Sequence, residues 1–317
     1  MSRLALRVLG AVFVLWAVVT LTFFGTQAIP GDPAEAVLGG PGSRSTAAQL
    51  AQIRAQYGFD RPLWVRYLDE LRHLAQGDLG VSYALKTPVT TLVGQTIGAT
   101  LTLAGLSLVV AWAVAVVVAV AATRESRIGA ALASLLEITA VAVPHFWLGS
   151  MLILVFSVGL GWLPPISTPG VAGLVLPVLS LALPLAGFLG QLMRESFLAA
   201  LDAPFTLSAR ARGESETRVR LVHALRHAAL PAISLSGWAF GSLISGAVVV
   251  EALFARPGLG RTLLSAVLAG DAPVITGVVL VVATVYLVLT VVTEAADRLA
   301  DPRLRSASGQ RAGAPAW

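Results

Sequence analysis

Long apolar runs alternate along the chain with polar stretches, and most runs are closed by charge, glycine or proline. The first run, residues 9–29 behind Arg3 and Arg7, is roughly 20 residues long, enough to cross a hydrocarbon core about 30 Å thick. A cleaved leader has the same order of features, but its apolar core is only about 7–15 residues long. The run therefore reads as a membrane span. Comparable runs at about 98–122, 130–158, 171–193, 232–250 and 274–292 predict five more. The third contains Glu137, Pro144 and His145, which cost free energy against lipid and so predict a protein- or water-facing stretch. Pro144 lacks a backbone donor and is expected to kink or break it. The fourth carries Pro177, Pro184, Gly187 and Gly190, and the fifth has Gly237 and Gly241 in GxxxG spacing. Both patterns favour close helix packing.

Two polar stretches interrupt this pattern. Residues 30–96 hold two helical patterns. Ser45 or Thr46 caps the first, Leu50, Ile53 and Tyr57 share one side, and Gly58 stops it in the left-handed conformation. Asp60 is expected to cap the second, with Pro62 in its first turn, Leu63, Tyr67, Leu71 and Leu74 at helical spacing, and Gly77 as the stop. The second stretch, residues 203–231, reads APFTLSARARGESETRVRLVHALRHAALP. It predicts a water-facing loop, with a short helix ending at Gly213 and a basic helix running into Pro231, where the fifth span is expected to begin.

Composition narrows the class. Of 317 residues, 56 % are hydrophobic and only 12 % charged, outside the balance of soluble domains, so the expectation is an all-α integral membrane protein. The net charge of +5 does not point to nucleic acid, because the basic residues gather at the ends of apolar runs, where they set orientation. Six spans place both termini on one side. That side collects 14 of the 22 Lys and Arg, against 8 on the other, 6 of which lie in residues 30–96. Long segments translocate largely regardless of charge, so the termini and the 203–231 loop are expected inside. The chain has no cysteine and only four separated histidines, so no metal site is expected. Its one lysine, Lys86, belongs to no phosphate-binding loop, and no Ser-His-Asp or paired-carboxylate spacing supports an enzyme. Energy must come from a partner or an ion gradient.

Eight short stretches carry a resemblance that covers nearly the whole chain. They are PGDP (30–33), YGFDRPLWVRYL (57–68), GDLGVSY (77–83), VPHFWLG (143–149), ARARG (209–213), HALRHAALP (223–231), VVVEALFARPGLGR (248–261) and DPRLR (301–305). In this order and spacing the chain resembles a permease subunit of an ABC importer of the peptide and nickel branch. The resemblance implies a second homologous permease, two ATPase subunits that bind ATP and magnesium, an extracytoplasmic solute-binding protein, and no cofactor on this subunit. It places the chain in a bacterial inner membrane. The loop between the fourth and fifth spans is similar to the coupling segment that docks on the ATPase. Phe205, Ala209, Ala211 and Gly213 would form the docking helix and its turn, with Arg210 and Arg212 at the interface and Glu214 following. The general motif begins Glu-Ala-Ala, where this chain has Ser208-Ala209-Arg210.

These readings divide the chain into an N-terminal span (1–29), an external helical segment (30–96), a membrane core (97–297) with its coupling loop (194–231), and a cytoplasmic tail (298–317). Glu137, Pro144 and His145 are candidates for the translocation path, and Glu251 and Asp271 for contact with the binding protein at the external mouth. The expected cargo is a di- or oligopeptide, or nickel or a metal chelate. A gradient-driven secondary transporter would instead need inverted repeats and unwound half-helices, and a scaffold or channel without a transport cycle would need no docking helix.

Overall fold

The computed structural model describes residues 3–28, 31–39, 45–123 and 127–300. Pro30, Arg124, the DPRLR stretch and the tail after it lie outside the described residues. Among those described, every regular element is helical, apart from an isolated bridge between Val81 and Pro88. In chain order the helices are α1 (Arg3–Gln27), α2 (Pro33–Val37), α3 (Ala47–Tyr57), α4 (Leu63–Ala75), α5 (Val89–Ala122), α6 (Arg127–Ala142) and α7 (His145–Leu152). Then follow α8 (Ala172–Leu201), α9 (Pro204–Ala211), α10 (Glu216–Arg218), α11 (Leu225–Leu253), α12 (Leu259–Ala269) and α13 (Ala272–Ala300). π-Helical stretches extend α7 over Ile153–Gly159 and join α10 to α11 over Val219–Ala224.

Five helices are long and apolar enough to cross a membrane: α1, α5, α8, the continuous path Glu216–Leu253, and α13. A bent pair, Gly129–Ala142 with His145–Gly159, turns through 107° and makes a sixth if counted as one span. The bend falls at Pro144, which is the extended N-cap of α7, as its missing amide predicts.

Two local expectations are corrected. Pro231 does not begin the fifth span but lies inside α11, in a helix that is continuous from Glu216. Proline fixes φ near the helical value, and a membrane helix tolerates the lost bond where neighbours support it; Pro177 and Pro184 sit inside α8 in the same way. The capping prediction succeeds at Thr46, which forms a full capping box with Gln49, and at Gly58, with φ +67°. It fails at Asp60: Pro62 is the N-cap of α4, without a side-chain cap bond, because the turn closed by Arg61 N–H on Gly58 carbonyl places Asp60 ahead of the helix start.

Contacts group the described residues into two units, Met1–Leu101 with Ala255–Leu287, and Thr102–Phe254 with Val288–Trp317. The first unit has an apolar core of Val89, Val93, Leu259, Ala266, Val274, Ile275 and Val278. Its polar centre is Asp271, which is buried and accepts from Ser82 Oγ at 2.5 Å, Tyr83 N at 3.0 Å and Ala84 N at 3.1 Å. Arg54 pairs with Asp32, and Lys86 Nζ donates to the Val37 carbonyl at 3.0 Å. Together these bonds tie the polar segment together where burial is scarce.

In the second unit α8 packs against α6, α7 and α11. Glycine allows the close approaches. A Cβ on Gly187 would lie 2.7 Å from the Glu137 carbonyl oxygen and 2.8 Å from Ala140 Cβ, and one on Gly237 would lie 2.2 Å from Thr293 Oγ1. Gly237 of the GxxxG pair thus serves packing, as expected. Gly187→Ala should lower stability by about 1–3 kcal/mol through overpacking. Gly10→Ala, with nothing within 4 Å of its Cβ, should not lower it and gains the helix preference of Ala over Gly. Thermal unfolding in detergent checks both, and equal melting temperatures for the two variants would refute the packing account.

Candidate functional site

The polar segment after α8 is built from short-range bonds. Ala203 is extended and Pro204 opens α9 at a position where its missing N–H is harmless. Thr206 and Ala209 form the buried side of α9. Thr206 Oγ1 lies 2.7–3.0 Å from the carbonyls of Ala200, Leu201 and Ala203, which fastens α9 to the end of α8. Below it, Phe197, Ala200, Leu201, Ala224 and Ala228 form a compact apolar cluster. Phe205 is exposed at 37 %, with its ring centroid 4.4 Å from that of His227. Leu207, Ser208, Ala211 and Arg212 are also exposed.

Gly213 turns the chain with φ +82°, a conformation costly for residues with a Cβ. Its N–H donates to the Arg210 carbonyl at 2.9 Å, and that of Glu214 to the Ala209 carbonyl at 3.2 Å. Ser215 then caps α10. Two carboxylates collect the surrounding cations. Glu214 pairs with His223 at 2.9 Å, Arg212 at 3.0 Å and Arg218 at 3.2 Å, and the His223 hydrogen bond, then that of Arg212, holds its carboxyl below the usual range. Glu216 pairs with Arg210 at 3.0 Å and Arg220 at 3.2 Å, and the Arg210 bond chiefly lowers its pKa.

The sequence-based candidates for docking therefore split. Phe205, Ala211, Arg212 and the Gly213 turn lie on or beside an exposed surface, whereas Ala209 faces inward. Arg210, expected at an interface, has its guanidinium turned back onto Glu216 and the Leu201 carbonyl. Glu216 was not among the sequence candidates. Its i,i+4 relation to Arg220 is readable from spacing, but its pairing with Arg210 crosses the Gly213 turn and is not.

The other candidates do not form one cluster. Glu137 is 2 % exposed and pairs with the partly exposed Arg194 through Nε at 3.0 Å, so α6 and α8 share an ion pair that is buried on the carboxylate side. His145 Nδ1 lies 3.1 Å from the Ser180 carbonyl. Arg194 and Ser180 are about 20 Å apart along α8 at 1.5 Å per residue. Two open cavities of about 450 and 360 Å³ belong to the first unit, and neither is lined by Glu137, Pro144 or His145. Glu251 and Asp271, expected at an external mouth, are both buried. Glu251 is buried within α11, and the Asp271 oxygens are engaged by residues 82–84. Asp271 also lines the cavity of about 450 Å³. No group of three His, Asp or Glu suited to a metal occurs among the described residues.

Comparison with known proteins extends beyond the site. Residues 1–104 match the N-terminal family "Binding-prot-dependent transport system membrane comp", and residues 114–306 match "Binding-protein-dependent transport system inner membrane component". The chain is 35 % identical over 309 residues to a Brucella abortus protein provisionally named a peptide transport system permease, covering 94 % of this chain and 97 % of that one. It is 35 % identical over 302 residues, with the same coverage, to the glutathione transport system permease protein GsiC of Salmonella typhimurium. Among solved structures, an amino acid ABC transporter crystallised with histidines aligns with a TM-score of 0.50 at 16 % identity, over 68 % of this chain and 94 % of that chain. That last likeness concerns the fold alone. With family matches spanning both halves of the sequence, the chain belongs to the inner membrane components of binding-protein-dependent transport systems.

Proposed function

We propose that this chain is one of two homologous permeases of an ATP-driven importer for di- or oligopeptides, working with two ATPase subunits and an extracytoplasmic binding protein. The observation that carries the docking assignment is α9, a short helix pinned through Thr206 and Ala209 to the end of a spanning helix while Phe205, Leu207 and Arg212 stay exposed. An eight-residue helix has little stability of its own, so a surface of this kind suits a partner with a groove. ATP and magnesium would be held by the partner ATPases. Their closure would move α9, rock the spans and admit substrate from the binding protein, and hydrolysis would reset them.

Six spans with both termini and α9 on the cytoplasmic side of a bacterial inner membrane agree with the distribution of Lys and Arg. The names of the Brucella and Salmonella relatives favour a peptide as cargo. Nickel or a metal chelate is the second class to test in the same transport assay. Within this reading Glu137, Pro144 and His145 stand at the broken span, where α6 and α7 meet α8, and an opening of the path would displace them.

The carboxylates around Gly213 should keep their arginine pairs throughout the working pH range. Their folded-state pKa values lie below 4.5, so the pairing contributes fully above the ordinary carboxylate range and is lost as pH falls through the lowered values. In His223→Gln, where Glu214 keeps only its arginine partners, hydrogen-exchange protection of residues 209–219, corrected for intrinsic rates, should stay flat from about pH 8 to about pH 5 and fall only at more acid pH. A loss of protection near pH 6 would contradict this.

Gly213 supplies the test of docking. A Cβ there meets nothing within 4 Å, so Gly213→Val acts through backbone strain alone, about 1–2 kcal/mol. The variant should insert normally, yet hydrolysis by the co-purified complex in lipid should lose several-fold of its stimulation by loaded binding protein. Full stimulation, or a wild-type chain that retains no ATPase, would overturn the assignment.

A further inference from the structure

The two carboxylates after Gly213 differ in reach. Glu214 accepts only from Arg212, Arg218 and His223, close neighbours in the same turn and the helix that follows. Glu216 accepts the fork of Arg210 from α9, Nε to Oε2 and Nη2 to Oε1, each at 3.0 Å. Its Oε1 also accepts from Arg220 Nε at 3.2 Å. Each of these arginines has a second hold, on the end of a spanning helix. Arg210 Nη1 donates to the carbonyl of Leu201, the last residue of α8, at 3.2 Å. Arg220 Nη1 donates to the carbonyl of Thr123, just beyond α5, at 2.9 Å and to its Oγ1 at 3.2 Å. Final carbonyls of a helix lack partners within it and carry partial negative charge, so guanidinium groups bind well there.

We propose that Glu216 is a positioning residue that joins α9 to the inner ends of α5 and α8, so that a displacement of α9 is carried to both helices together. The proposal rests on the reading of α9 as the docking helix. The chemistry favours a rigid link. A bidentate guanidinium–carboxylate pair fixes orientation as well as distance, and a carboxylate between two guanidinium groups also cancels their repulsion. Without the charge, Thr206 still fastens α9 to α8, while the connection from α9 to α5 through Arg220 is cut. The predicted defect is thus specific: α9 stays in place at rest but moves without α5.

The absence of cysteine from the chain allows labels to be placed freely. Cysteines at Ser208 on α9 and Ala121 on α5, both exposed, can carry spin labels in a complex whose other subunits lack reactive thiols. In the otherwise native chain the Ser208–Ala121 distance should be the same without nucleotide and with ATP, because the helices travel together. In Glu216→Gln it should shift or broaden on ATP binding, and peptide transported per ATP hydrolysed should fall about tenfold, within the span of ordinary coupling energies. ATPase subunits should still co-purify with the variant. Arg220→Lys keeps the charge but not the fork, and should reproduce the distance change; it decides the matter if Glu216→Gln does not fold. Glu214→Gln should leave the distance response native. If the native complex is stimulated by loaded binding protein, yet both Glu216→Gln and Arg220→Lys keep native distances and transport ratio, the link is wrong and the docking reading stands. If the native chain retains no ATPase, the docking reading fails and the link falls with it.

Discussion

In hydrocarbon an amide or carbonyl without a partner costs several kcal/mol, so a chain this apolar must close its backbone bonds within helices. The remaining architecture follows from where that requirement is relaxed. At Pro144 the helical ladder is interrupted and the chain turns through 107°, which is acceptable only against protein. There the second unit supplies α8 and α11 as neighbours of α7. Because lipid is as apolar as leucine, helices gain little from hiding apolar side chains from it, and close approach has to come from small residues. Gly149, Gly187 and Gly237 stand where any Cβ would collide with a neighbouring helix. The Glu137–Arg194 pair belongs to the same logic: a charge in such a bundle persists because it is paired, and removal of Arg194 would leave Glu137 unpaired and buried.

Outside the apolar spans the structure is held differently. Segments 31–39 and 45–88 contribute few buried side chains, and their order comes from directional bonds such as the three donors on Asp271 and the capping box at Thr46. Around α9 the same means appear in a looser form. Apolar burial there is confined to Ala209 and the small cluster beneath it, so the direction in which α9 points depends on the Thr206 hydroxyl and on ion pairs at the surface.

What the sequence makes legible follows from the range of the interactions. Apolar runs and caps are local, so the spans, the break at Pro144, the cap at Thr46 and the left-handed stops at Gly58 and Gly213 could be read from residue order. Pro231 misled because the tolerance of a proline depends on what packs around it, which spacing does not show. Glu251 and Asp271 sit near the ends of apolar runs, where an exposed charge is the usual case; their burial follows from α11 and from residues 82–84 folding against them. Arg210 is placed at an interface by the resemblance alone, and its ion pair is not readable from spacing. Its partner, Glu216, lies beyond a turn, and only the left-handed Gly213 brings the two together.

The strength of these contacts suits the roles proposed for them. Exposed ion pairs contribute about 0–1 kcal/mol each, and Glu216 and Arg210 are 51 % and 36 % exposed. Such a pair adds little to the stability of the fold, but it is directional and bidentate, so it can fix how one short helix is oriented on two long ones. A buried apolar joint would be stronger and would also resist rearrangement, because close-packed surfaces move only as blocks. Bonds at the water boundary can be strained and re-formed at small cost while the packed spans stay intact. The molecule has this division: rigid packing where α8 meets α6 and α11, and exchangeable polar bonds around α9.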